Sequence, residues 1–187
     1  AWTYSQGVPH AVDMRRRIRN TWYNVYVHSV VVFPLTPGIL EIGPATVSYS
    51  LPMSYSFLSR EVRHEPQSDS VRIYVSEQPI ETRPPVFDGA ASAGMQLELQ
   101  ATQTEISVGN AVVVSVVLRG AGNVALWPEP RIRWPDGLRA YTEGVDVDLD
   151  SSAERISGVK TFRYLVVPDS AGTHLINEVT YAYFDLN

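Results

Sequence analysis

Acidic side chains cluster in the run DVDLDSSAE, residues 146–154, where Asp146, Asp148, Asp150 and Glu154 stand close together. Several closely spaced oxygen donors are what calcium requires. Counted from Asp146, however, an EF-hand loop needs glycine sixth and glutamate twelfth, and this chain has Ser151 and Ser157 there. Val147 and Leu149, set between the acids, describe instead the wet face of an edge strand. No metal and no other cofactor is expected. The histidines His10, His28, His64 and His174 form no ligand pair, and no G-x-S-x-G context marks a serine nucleophile, so no catalytic residue is assigned. RGAGN, residues 119–123, has the glycines of a phosphate cradle without the lysine, third glycine and helix that complete one. It reads as a tight turn.

Two groups remain as candidates for contact with a partner. The run RRRIR at 15–19 places Arg15, Arg16 and Arg17 side by side. Guanidinium forks there could hold an acidic partner or anionic lipid, or line a solvated strand edge. Of Trp2, Trp22, Trp127 and Trp134, Trp22 and Trp134 are expected in a core, because sandwiches commonly bury a tryptophan. Trp127, flanked by Pro128 and Pro130, is expected at a module edge, where an aromatic can anchor an interface. The candidate interaction residues are therefore Trp127, Arg15, Arg16 and Arg17.

The elements that must position these groups are legible in a repeat. The stretch NTWYNVYVHSVVVFPLTPGILEIGPATVSY at 20–49 returns in weaker form as GVKTFRYLVVPDSAGTHLINEVTYAY at 158–183, with Pro34 and Gly38 matching Pro168 and Gly172. Proline cannot donate to a ladder, and glycine tolerates the positive φ of a tight return. Each copy thus predicts a hairpin. Around them, residues 51–68 read as a long loop and SVRIYV at 70–75 as a closing strand. The prolines of 76–94 argue for a linker. MQLELQA, AVVVSVVL, the alternating 145–150, 159–167 and 173–184 read as the strands of a second module.

The expected fold class is all-β: tandem immunoglobulin-like β-sandwich modules, the first partial. Residues 1–78 would be the C-terminal part of one module, 79–94 a Pro-rich linker, and 95–187 a second module lacking its last strand. Open sheet edges would follow, and these invite a partner strand or another copy of the chain.

Composition bounds the function. The 187 residues are 44% hydrophobic, enough for packed cores, and contain no cysteine, which removes disulfides, zinc ribbons and thiol nucleophiles. Net charge is −5, with 14 arginines and one lysine, Lys160. Divided at Pro85, the charge is +1 and then −6. Nucleic-acid binders carry a strongly basic domain, and neither part does.

The segment PPVFDGAASAGMQLELQATQTEISVGNAVVVSVVLRGAGNVALWPEP, followed by GVKTFRYLVVPDSAGTHLINEVTYAYFD, resembles the BatD family, the bacterial oxygen-tolerance or aerotolerance proteins. The likeness rests on FDGA at 87–90, the SVG turn at 107–109, RGAGN, and a K-T-F-x-Y strand with P-x-x-x-G. VFPLTPGILEIGPATVSY looks like the end of that family's preceding immunoglobulin-like domain. The resemblance implies tandem β-sandwiches outside the cytoplasm, in the periplasm, anchored to the inner membrane in the full-length protein. It implies assembly with von Willebrand factor A-domain membrane proteins, encoded nearby with a MoxR-type ATPase. The family name records a stress phenotype and no reaction.

The reading is a non-enzymatic interaction module that contacts envelope proteins through strand edges and loops, with possible homo-oligomers through the same edges. A carbohydrate- or peptidoglycan-binding sandwich with Trp127 as its stacking platform is the alternative, and a hydrolase on a β-scaffold ranks last.

Overall fold

The computed structural model describes residues 1–5, 14–27, 29–52, 60–79, 81, 83–150 and 155–187, the side chains of 2, 4 and 5 excepted. It is all-β, with several sheets, one 3-10 turn and no α-helix among the described residues. The chain divides into two compact units, 1–2 with 32–78 and 3–31 with 79–187.

The first strands are β1 (Trp2–Ser5), β2 (Met14–Ile18), β3 (Thr21–Val25), β4 (Val30–Phe33), β5 (Gly38–Ile42), β6 (Tyr49–Pro52), β7 (Glu61–His64) and β8 (Val71–Val75). They form two-stranded ladders: β1 with β4, β2 with β3, β5 with β8 and β6 with β7. The link between β2 and β3 is two residues long, and Arg19 and Asn20 both have positive φ, 46° and 71°. That is the primed hairpin turn whose twist matches the flanking strands.

These ladders correct two expectations. The region 51–68, expected as a loop, holds most of the β6–β7 ladder. The expected hairpin around Pro34 and Gly38 is no hairpin. β4 ends before Pro34, Gly38 turns with φ +117°, and β5 then pairs with β8 in a different sheet. Proline and glycine mark the break correctly, but a break alone does not say whether the chain returns to the same sheet.

The larger sheet contains β9 (Phe87–Ala101), β10 (Val112–Ala121), β11 (Leu138–Asp150), β12 (Ser157–Pro168) and β13 (Ala182–Asp185), in the order β11-β12-β10-β9-β13. Neighbours are antiparallel except β13, which runs parallel to the first part of β9. Residues 87–94, expected as linker, are therefore strand; the small residues of FDGAASAG hide the period-two signal. β9 bends with φ +92° at Gly89 and +71° at Gly94, so its first part serves β13 and its second part β10. The second copy of the repeat also fails as a hairpin, but for another reason. β12 ends at Pro168, and only residues 182–185 of the expected strand 173–184 form one.

Burial follows the alternation. Val112, Val114, Val116 and Leu118 of β10 meet Phe162, Tyr164 and Val166 of β12 in one core. The layer over them is mostly irregular: the 3-10 turn Val124–Leu126, then Trp127, Ile132 and Trp134, with Ile176, Tyr181 and Tyr183 from the last part of the chain. Trp134 packs edge-on against Tyr164, ring centres 5.4 Å apart, so its expected core place is partly met. Trp22 corrects the other expectation, being 65% exposed in β3.

Gly120 explains one half of RGAGN. A Cβ there would run into Ser92 Oγ and stand 2.8 Å from Gly94 O. The motif is the end of β10 and a turn into the 3-10 segment, and its glycine permits close approach of β9.

Candidate interaction site

Irregular chain lies over a sheet only if its polar groups are satisfied, and four side chains do this here. Lys160 Nζ donates to Ala125 O at 2.7 Å and Trp127 O at 2.6 Å. Trp127 Nε1 donates to Ala91 O at 2.9 Å. Tyr181 Oη donates to Pro128 O at 2.9 Å, and Tyr164 Oη to Glu129 Oε1 at 2.8 Å. Lys160 is only 8% exposed, and burial lowers its amine below the ordinary value. Its Nζ also lies 5.2 Å from the Phe162 ring centre, so ring and carbonyls together stabilise the cation. Burial raises the phenol of Tyr164, reinforced by the hydrogen bond and charge of Glu129. Burial raises that of Tyr181 too, with a further contribution from Asp88.

Trp127 is accordingly corrected: it is 1% exposed, among the largest fully buried side chains, and offers no platform to a ligand. Its flanking prolines stiffen a segment that folds inward, a choice local sequence does not reveal. Arg15, Arg16 and Arg17 are exposed on β2, opposite Asn24, Tyr23 and Trp22, and Arg17 hydrogen-bonds Asn20. They are brought together with exposed aromatics and not with Trp127. Lys160 was missed. The signal was present, since Lys160, Phe162, Tyr164 and Val166 share one face of a strand at spacing two, and a lone lysine on an apolar face needs partners.

A second feature lies at one end of the larger sheet. β12 stops at Pro168, where Asp169 N bonds Gly137 O at 2.8 Å and Arg139 clasps Asp169 through both oxygens at 2.8 and 2.9 Å. That contact holds the Asp169 carboxyl below the usual range. Gly172, φ +143°, then turns the chain away. On the other side the loop after β9 is fixed by Thr102 N to Val113 O and Gly109 N to Pro168 O, both 3.0 Å. Between the walls 103–108 and 170–176 is a cleft of about 860 Å³, floored by Val112, Val114, Leu138 and Val166. Among the described residues Glu105 is the one acidic group on its lining, and no lysine or arginine lines it. His174 Nε2 is 3.0 Å from Ser170 O, which orients the ring within the wall. An apolar floor with a polar rim accepts apolar groups carried on a polar backbone.

The acidic run is the outer face of β11. Asp146 pairs with Arg163, which also reaches Glu143 at 3.5 Å, while 151–154 lie outside the described residues. Among the described residues no three acidic, histidine or cysteine side chains are grouped to hold a metal. His10 and His28 lie outside the described residues, as does the Trp2 side chain. His64 stacks on Tyr49 at 5.2 Å. No protein-family model, curated protein or solved structure matches the chain.

Proposed function

We propose that the chain is a non-catalytic protein-interaction module of a BatD-like membrane-anchored protein linked to oxygen tolerance, working outside the cytoplasm with von Willebrand factor A-domain membrane proteins. The order β11-β12-β10-β9 corresponds to strands D, E, B and A of an immunoglobulin-like sandwich, which supports that finer reading of the fold. Proline and glycine that end a strand and turn the chain in both copies, Pro34 with Gly38 and Pro168 with Gly172, support a tandem arrangement.

The observation that carries the proposal is the division of labour among polar groups. The buried ones secure the layer over the core, while the cleft and the outer edge of β11 keep backbone and apolar surface accessible. Such edges bind by strand pairing. A pull-down and calorimetric titration with neighbouring A-domain proteins tests this. Saturable binding is expected, and a folded, monodisperse chain that binds none of them overturns it. The carbohydrate-binding reading loses Trp127 but keeps one support, exposed Trp22 beside the arginines. Selective binding on a glycan array, lost on Trp22→Ala, would favour it.

A further inference from the structure

A two-stranded ribbon is marginal in water unless something covers it, and the ladder of β2 with β3 has neither face covered. Every residue of β2 is exposed, and in β3 all but half-buried Val25. The register sorts the side chains, with Arg15, Arg17, Trp22 and Asn24 on one face and Met14, Arg16, Ile18, Thr21 and Tyr23 on the other. Large apolar groups therefore stand in water on both faces, Trp22 at 65% exposure on one and Ile18 at 52% on the other. Exposed Tyr26 and Val27 follow β3 directly. Guanidinium groups accompany them on both faces. Residues 14–27 contain four arginines and no acid, in a chain of net charge −5. Among the described residues no carboxylate pairs with Arg15, Arg16, Arg17 or Arg19.

What covers such a ribbon must be anionic and must meet both faces at once. A folded acidic protein lies against one face and leaves the apolar groups of the other in water. The headgroup layer of a bilayer surrounds a hairpin tip on all sides, supplies phosphates for bidentate guanidinium bonds, and is the depth at which tryptophan and tyrosine settle. We propose that the β2–β3 hairpin enters the headgroup layer of an anionic bilayer tip first. The turn Arg19–Asn20 leads, Ile18 and Trp22 take the apolar boundary of the layer, and Arg15, Arg16, Arg17 and Arg19 hold lipid phosphates. Backbone limits the depth. Both strands are edges, so half of their N–H and C=O groups face outward and need water or headgroup oxygens, which hydrocarbon does not offer. The headgroup layer is about 5–7 Å deep. The strand from Ile18 to Met14 spans about 13 Å, so the tip is immersed and Met14 stays at the water boundary. The inference does not rest on the interaction reading above, because its surface is the hairpin and neither the cleft nor the edge of β11.

The test is co-sedimentation of the chain with vesicles of phosphatidylcholine, alone or with about 30% phosphatidylglycerol, together with tryptophan emission. Binding is expected on the anionic vesicles and should weaken as salt rises. The emission should shift to the blue, a shift absent in Trp22→Phe, and lipids brominated near the carbonyl should quench it more than lipids brominated at the chain end. The triple variant Arg15→Ser, Arg16→Ser, Arg17→Ser should partition on the order of a hundredfold more weakly, about fivefold for each charge removed. Circular dichroism checks its fold; should the hairpin be lost, the salt dependence and the depth of Trp22 in the unaltered chain decide alone. Equal binding to both vesicle compositions, binding to neither, strongest quenching at the chain end, or a folded triple variant that binds like the unaltered chain would each overturn the proposal. So would equally tight binding to soluble polyglutamate with no blue shift, which would make an acidic protein the occupant. Vesicle binding without A-domain binding keeps this inference and removes the proposed function; the converse result does the opposite.

Discussion

Replacing Lys160 with methionine isolates the bond that holds irregular chain over the core. Methionine keeps the length and apolar stem but removes Nζ, so Ala125 O and Trp127 O lose donors now 2.7 and 2.6 Å away. Hydrogen bonds to a charged group contribute about 1.5–3 kcal/mol each. Against this, burying a cation without an acidic partner costs several kcal/mol, and methionine relieves it. Two stranded carbonyls beside Trp127 decide the sign, and the expected net loss is about 2 kcal/mol. Urea unfolding followed by tryptophan fluorescence measures it.

The pH dependence supplies an independent check. Burial lowers the folded amine below its ordinary 10.5, so just below pH 10.5 the unfolded chain binds more protons than the folded one. Stability contributed at this site therefore rises with pH in that window. The difference between wild type and Lys160→Met should widen in favour of wild type as pH rises toward 10, because the neutral amine still donates to both carbonyls. Equal stability of the two proteins, or a gap that narrows with rising pH, would refute the latch.

Trp127→Ala should destabilise by about 3–5 kcal/mol, whereas Trp22→Ala, at an exposed position, should stay within about 0.5 kcal/mol; thermal melts compare them. Gly120→Ala forces a methyl against Ser92 Oγ and Gly94 O and should cost about 1–3 kcal/mol, read by the same denaturation curve. The phenols of Tyr164 and Tyr181 are raised above 10 by burial. Above pH 10 the unfolded chain loses these protons first, so stability should fall with rising pH, and Tyr164→Phe should flatten that fall in a spectrophotometric titration with parallel melts.

How far the sequence carries the fold depends on whether a signal is local. Val112, Val114, Val116 and Leu118, with Phe162, Tyr164 and Val166, form the core at the period-two spacing that strands require. Pro34, Gly38, Pro168 and Gly172 end strands and turn the chain, as proline and glycine must. What proline and glycine do not encode is the next partner. β5 finds β8 and β13 finds β9, choices fixed by sheet packing across long separations. The first part of β9 was hidden because Gly89, Ala90, Ala91, Ser92, Ala93 and Gly94 are small, and small residues carry little hydrophobic pattern. Trp127 misled for a related reason. Its prolines suggest an exposed connection, yet its indole is buried and donates to Ala91 O. The cleft had no motif at all; it exists because the chain leaves the sheet at Pro168 and the loop 103–108 is tied back elsewhere.

Native-state hydrogen exchange on the isolated chain tests the central claim, that backbone beside the cleft, residues 172–180, belongs to no ladder while the larger sheet is well paired. The amides of β10 and β12 should exchange slowest, while those of 173–179 exchange close to unprotected rates. Protection of 173–179 equal to that of β10 would contradict the account, because it would mean the backbone there is already satisfied and has nothing to offer a partner.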